Sequence, residues 1–178
     1  KCPFCDTEFE METLLSYDQD LSSTSDADQM KWENPGKVWQ EGDTFYMVLG
    51  SQGEDGLGRA LIYSSKDLLH WEQTTELSKA AAKETEGYMW ECPDFFHLDG
   101  KDILLMSPQG LEADGDRFRN LNQTGYLMGK VQDKKLQHNG FVEIDNGHDF
   151  YATQTMLTPD GRRMMIAWMN AWDSPMPE

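Results

Sequence analysis

Phe95-Phe96-His97-Leu98-Asp99-Gly100-Lys101-Asp102-Ile103-Leu104-Leu105-Met106 reads as two apolar strand segments joined at an Asp-Gly turn. Asp-Gly between apolar runs is a strong hairpin signal, because the tight turn needs φ > 0 at its centre. The pattern recurs on both sides. Thr155-Met156-Leu157 precedes Asp160-Gly161, and Met164-Met165-Ile166-Ala167-Trp168 follows. Val38-Trp39 precedes the weaker Gly42-Asp43, and Phe45-Tyr46-Met47-Val48-Leu49 follows. The turns are nearly evenly spaced: 57 residues separate Asp43 from Gly100, and 61 separate Gly100 from Gly161.

A further strand follows the first two hairpins, Arg59-Ala60-Leu61-Ile62-Tyr63 in one and Gly125-Tyr126-Leu127-Met128-Gly129 in the other. Each repeat is therefore a meander of about four short strands, and the chain is predicted to be all-β. Antiparallel repeats of this length point to a β-propeller. A sandwich is the alternative all-β arrangement, but it does not predict near-constant turn spacing. About three blades are expected over residues 31–178, and a propeller ring needs more to protect its edges. Either the chain is part of a larger ring or it completes itself with another chain. Within these repeats the one helical expectation is a turn or two between Leu77 and Lys83.

Just before the central hairpin stands Met89-Trp90-Glu91-Cys92-Pro93-Asp94. Glu91 lies between a tryptophan and a Cys-Pro step. Desolvation disfavours the charged form of a carboxylate, which suits such a group to donate a proton near neutral pH. Pro93 restricts the residue before it to extended conformations. A positioned general acid fits this pattern, and so does a surface-loop glutamate beside a buried aromatic cluster.

Composition narrows the partners. The 178 residues carry 32 acids against 15 basic residues, a net charge of -17. Such a surface repels phosphate backbones and anionic headgroups, so neither nucleic acid nor membrane is an expected partner, while neutral sugars are compatible. No apolar run is long enough to cross a membrane as a helix, and no basic start leads into an apolar stretch. Residues 1–30 hold eight acids and the polar run Ser22-Ser23-Thr24-Ser25-Asp26, and read as a peripheral, poorly ordered segment with a short helix possible over Glu8 to Leu15. Cys2 and Cys5 form a single C-x-x-C, which cannot complete a tetrahedral zinc site alone. With Cys92 the cysteine count is odd, which favours a reducing compartment and a cytoplasmic location. The four histidines show no ligand spacing, so neither metal nor cofactor is expected.

These blocks resemble the β-fructofuranosidases, the glycoside hydrolase family of invertase, levanase and sucrose-6-phosphate hydrolase. The resemblance rests on Lys37-Val38-Trp39, Tyr63-Ser64-Ser65-Lys66-Asp67-Leu68-Leu69-His70-Trp71, Trp90-Glu91-Cys92-Pro93-Asp94, Ser107-Pro108-Gln109-Gly110, Asp149-Phe150-Tyr151-Ala152 and Ile166-Ala167-Trp168-Met169. It implies a five-bladed propeller, retaining hydrolysis of terminal β-D-fructofuranosyl bonds in sucrose or fructans, and Glu91 as the general acid/base. It further implies a substrate-binding set of Glu33, Asn34, Cys92, Asp149 and Trp168. Trp39 and Trp90 are further aromatic faces on which a sugar could stack, although core packing is the simpler use of Trp39 and Trp168.

Two departures matter. The family's Asn-Asp-Pro-Asn block, whose Asp is the nucleophile, is absent from these residues. The family's Arg-Asp-Pro, whose Asp steadies the transition state, stands here as Glu33-Asn34-Pro35 with Gly36 inserted. One of three carboxylates is thus kept, and losing a member of a cooperating set costs about three to six orders of magnitude in rate. The competing expectations are a glycosidase present in part, a carbohydrate-binding propeller without activity, and an interaction module whose open blade edges recruit a second chain. The eleven methionines are expected to fill gaps between blades.

Overall fold

Long apolar runs without alternation belong to strands buried on both faces, and such strands form the centre of this molecule. The computed structural model describes residues 33–170, with side chains from residue 36 onward. The first sheet is a meander of β1 (Glu33–Glu41), β2 (Thr44–Gln52), β3 (Gly58–Ser65) and β4 (Glu72–Lys79). The second runs through β5 (Met89–Leu98), β6 (Lys101–Gln109), β7 (Gly125–Gln132) and β8 (Lys135–His138), with the short β9 (Val142–Glu143) also pairing with β7. The third is the hairpin of β10 (Tyr151–Leu157) and β11 (Arg163–Trp168). All pairings are antiparallel, and the predicted turns lie at Gly42-Asp43 and Asp99-Gly100, with the third closed by Thr158 and Arg162 around Asp160-Gly161.

The leading strands of the three sheets lie side by side, with β5 contacting β1 on one flank and β10 on the other. The outermost strands β4 and β8 also meet, through Lys135–Glu76 at 3.1 Å and His138–Ser78 at 3.2 Å. His138 Nδ1 accepts the Gly140 amide at 3.1 Å, so its Nε2 is the nitrogen that donates to Ser78. These sheets are propeller blades packed one against the next. Val48, Ala60 and Ile62 of the first blade share one core with Trp90, Leu104, Met106 and Leu127 of the second.

Three expectations are corrected. Leu77 lies in β4, and the helix is the single turn α1 (Lys83–Glu86) that follows it. The third repeat is a two-stranded sheet among the described residues. Among the described residues Trp168 is 72% exposed rather than in the core, and Met156, Met164, Met165 and Met169 are exposed too. Met89 and Met106 do fill the interior. The expectations for residues 1–30 lie outside the described residues.

Candidate active site

β5 pairs with β6 in register as far as Glu91 opposite Ser107, then resumes with Asp94 opposite Leu105. Between them Cys92 takes a left-handed φ of 47°. This corrects the extended conformation expected before a proline. A non-glycine residue there is strained by about 1–3 kcal/mol and persists only where its surroundings hold it. Trp90 supplies one hold: it is fully buried and donates its indole N–H to the Glu86 carbonyl at 2.5 Å. Gln154 of β10 supplies another, donating to the Cys92 carbonyl at 3.0 Å.

β10 carries a second bulge facing the first. Its register with β11 slips between Tyr151 and Gln154. Asp149 and Ala152 flank Tyr151 with φ of 52° and 54°. The Ala152 amide donates to Ser107 Oγ at 3.0 Å, and Ser107 in turn meets Thr124 at 2.9 Å. Cys92 and Ala152 thus lie in two touching bulges, and a third left-handed non-glycine residue, Asp149, stands just before the second. Strain of this kind clusters where a site must be held in one geometry.

Between the bulges the Tyr151 hydroxyl donates to Glu91 Oε2. Gln109 Nε2 lies 3.4 Å from the same hydroxyl. Burial, and then the bond to Glu91, push the Tyr151 phenol well above its ordinary range, so it remains a donor. The Cys92 thiol is pushed up to about 11, first by burial and then by the negative charge of Glu91. It is therefore neutral beside the carboxylate rather than a nucleophile.

The other predicted positions fall around this centre unevenly. Asp149 is 2% exposed, and its Oδ2 lies 3.5 Å from His148 Nε2. The Asn34 backbone pairs with Gly50, whose Cα backs onto the Trp90 carbonyl, which puts β1 at the level of the Glu91 bulge. The side chains of Glu33 and Asn34 lie outside the described ones. Trp168 pairs across the hairpin with Tyr151 but exposes its ring. Gln109 and Tyr151 stand inside the blocks quoted above, and Gln154 lies two residues past the block that holds Tyr151; none of the three carries a role in the sequence pattern alone.

The arrangement supplies a half-buried carboxylate with a fixed donor on one oxygen, suited to exchanging a proton with a bound group. Among the described residues no group of three His, Cys, Asp or Glu side chains could hold a metal ion.

Comparison with known proteins agrees with the blocks. The model of the glycosyl hydrolases family 32 N-terminal domain matches residues 16–178. Sucrose-6-phosphate hydrolase of Escherichia coli is 45% identical over 150 residues, covering 83% of this chain and 31% of that protein. Its counterpart from Bacillus subtilis is 46% identical over 137 residues, covering 75% and 29%. Among solved structures, a mutant Bombyx mori GH32 β-fructofuranosidase in complex with sucrose superposes with a TM-score of 0.72 at 46% identity, covering 79% of this chain and 30% of that one. The chain thus spans about a third of the length of the relatives it matches.

Proposed function

Because this chain belongs to the glycosyl hydrolases family 32 through its N-terminal domain, we propose that it carries the proton-donating side of a site that hydrolyses terminal β-D-fructofuranosyl bonds. The observation that supports this most directly is Glu91 on its bulge, with Tyr151 held against Oε2. The substrate class follows the relatives named above, and sucrose is the substrate to try first.

In the reaction the Glu91 carboxyl gives its proton to the glycosidic oxygen as the C–O bond to fructose breaks. A second carboxylate, about 5 Å away in retaining enzymes, takes the fructosyl group as an ester. Glu91, now a carboxylate, removes a proton from the water that hydrolyses the ester. The Asn-Asp-Pro-Asn block expected to supply that nucleophile is not among these residues. We therefore read residues 31–178 as an incomplete propeller domain with negligible hydrolysis by itself. Asp149, Cys92 and Asn34 border the sugar in this reading, with Glu33 and Trp168 toward its rim. The odd cysteine count supports reading the setting as reducing and cytoplasmic.

The test joins this chain to a segment bearing the nucleophile block and measures glucose released from sucrose. Hydrolysis is expected in the joined protein and not in the chain alone. Glu91→Gln should lower it by about 10²–10⁴-fold. Normal hydrolysis by Glu91→Gln would remove Glu91 from its role.

A second reading is a carbohydrate binder without turnover, favoured by Glu33-Asn34 in place of Arg-Asp. It predicts heat on titration with fructose, sucrose or short fructans. A third reading has exposed blade edges recruit a second copy of this chain, and mass in solution tests it.

A further inference from the structure

Glu91 is not the most buried carboxylate on β5. Asp94, at the far end of the same bulge, is fully buried, and the chemistry above leaves it without a task. Its partners come from two other sheets. Lys37 Nζ of β1 lies 3.0 Å from Oδ1. From β10, the Thr155 amide donates to Oδ2 at 2.8 Å and the Thr155 hydroxyl at 2.5 Å.

The three residues close on themselves. Lys37 Nζ also donates to the Thr155 carbonyl at 3.0 Å. Thr155 Oγ1, having spent its hydrogen on Asp94, accepts from Arg163 Nη1 at 2.8 Å. The Arg163 guanidinium lies 4.0 Å from the ring centroid of Phe96, two residues beyond Asp94. Gly36 makes room for the approach of Lys37. It sits where β1 slips register, and a Cβ there would come within 2.2 Å of the Pro93 carbonyl. The residue inserted relative to the family pattern thus belongs to the bulge that brings Lys37 to Asp94.

A buried ion pair is seldom the most stabilising filling for a core, since a well-packed apolar group often does as well. Its directional bonds fix geometry instead. Here they join the leading strands of three blades at the end of a strained bulge whose other end presents Glu91. We propose that Asp94 is a positioning residue for Glu91: the Lys37–Asp94–Thr155 clasp pins the bulge so that Glu91 stays against the Tyr151 hydroxyl. This rests on the reading of Glu91 as the proton donor, but the clasp can be measured without turnover.

The experiment uses Asp94→Asn, Thr155→Val and Thr155→Ser in the full 178-residue chain. Two local readouts are followed: peptide-resolved alkylation of Cys92 and amide exchange over residues 89–96. Asp94→Asn and Thr155→Val should each speed both by tenfold or more, with exchange over residues 44–65 unchanged. Thr155→Ser, which keeps the hydroxyl, should restore the wild-type rates. In the joined, sucrose-cleaving protein, Asp94→Asn should lower kcat tenfold or more with KM within twofold.

Wild-type Cys92 labelling in both Asp94→Asn and Thr155→Val would overturn the proposal. So would a uniform rise in exchange across all sheets, which makes Asp94 only a core ion pair. If Asp94→Asn fails to fold, the Thr155→Val and Thr155→Ser pair decides alone. If the wild-type joined protein cleaves no sucrose, the reading of Glu91 fails, while labelling still decides whether the clasp holds the bulge.

Discussion

Tyr151 of the third sheet donates its hydroxyl hydrogen to Glu91 Oε2 of the second, so the candidate acid is oriented from a neighbouring blade. The contact spans 60 residues of sequence and exists only once the blades have packed. Order at the site and order between the blades are therefore one property.

Tyr151→Phe removes the hydroxyl and keeps the buried ring. It leaves Glu91 and Gln109 short of a partner, and a hydrogen bond to a charged group is worth about 1.5–3 kcal/mol. Stability in urea should fall by about that amount. In a sucrose-cleaving form of the protein, kcat should fall about tenfold or more, as expected for a group that positions a proton donor. An unchanged urea midpoint would show that the hydroxyl is not engaged.

Cys92 should make the fold sensitive to alkali. Its thiol moves from 9.0 up to about 11, by burial first and the charge of Glu91 second. The unfolded chain loses this proton near pH 9, while the folded one keeps it to about pH 11. The stabilisation is thus complete below pH 9 and is lost as pH rises from 9 to 11. Cys92→Ser should flatten the fall of the urea midpoint across that window. At pH 8, alkylation of Cys92 should be at least about 100-fold slower in the folded chain than in urea, since thiolate is the reacting form.

Asp102 works in the opposite direction. Burial alone would raise its carboxyl, but the Val131 amide at 2.6 Å and His97 Nδ1 at 2.5 Å outweigh it and hold the group below its ordinary 3.8. The folded state therefore holds this proton less tightly than the unfolded state. Its stabilisation is present above pH 3.8 and is lost as pH falls below that value. Urea midpoints at pH 5, 4 and 3 should drop less steeply in Asp102→Asn than in the wild type. An equal slope would mean that the amide contact does not hold.

Turn chemistry made the blades legible. Asp99-Gly100 and Asp160-Gly161 mark hairpins, and β2 and β6 read as strands because burial on both faces leaves an apolar run. β4 did not read so clearly. Its sequence, Glu72-Gln73-Thr74-Thr75-Glu76-Leu77-Ser78-Lys79, is the outer strand of its blade and buries only Leu77 and Ser78. Glu91 was visible through its neighbours, but its surroundings were not. A left-handed Cys92 runs against the local preference before proline; Gln154 from another blade holds its carbonyl, and the buried Trp90 two residues earlier is anchored on Glu86. Tyr151, Asp94 and Thr155 meet across blades, where no local spacing announces them. Trp168 shows the converse: an aromatic whose simpler use is core packing is 72% exposed in the two-stranded sheet of the described residues.

The closeness of β2 to β5 gives a final prediction, which separates backbone strain from packing. Gly42 has φ of 62° with nothing within 4 Å of a Cβ built on it. Gly50 has no such φ, but a Cβ there would lie 1.8 Å from the Trp90 carbonyl oxygen. Gly42→Ala therefore costs only the left-handed penalty, about 1–2 kcal/mol. Gly50→Ala must push β2 away from β5, an overpacking cost of about 3 kcal/mol or more because the obstacle is backbone. The displaced carbonyl belongs to the residue next to Glu91. Gly50→Ala should therefore disturb the site as well as the core, with faster amide exchange over residues 89–96, whereas Gly42→Ala should leave that exchange as it was. Urea titration gives the order of the two costs. A larger loss at Gly42 would mean that the two blades are not packed this closely.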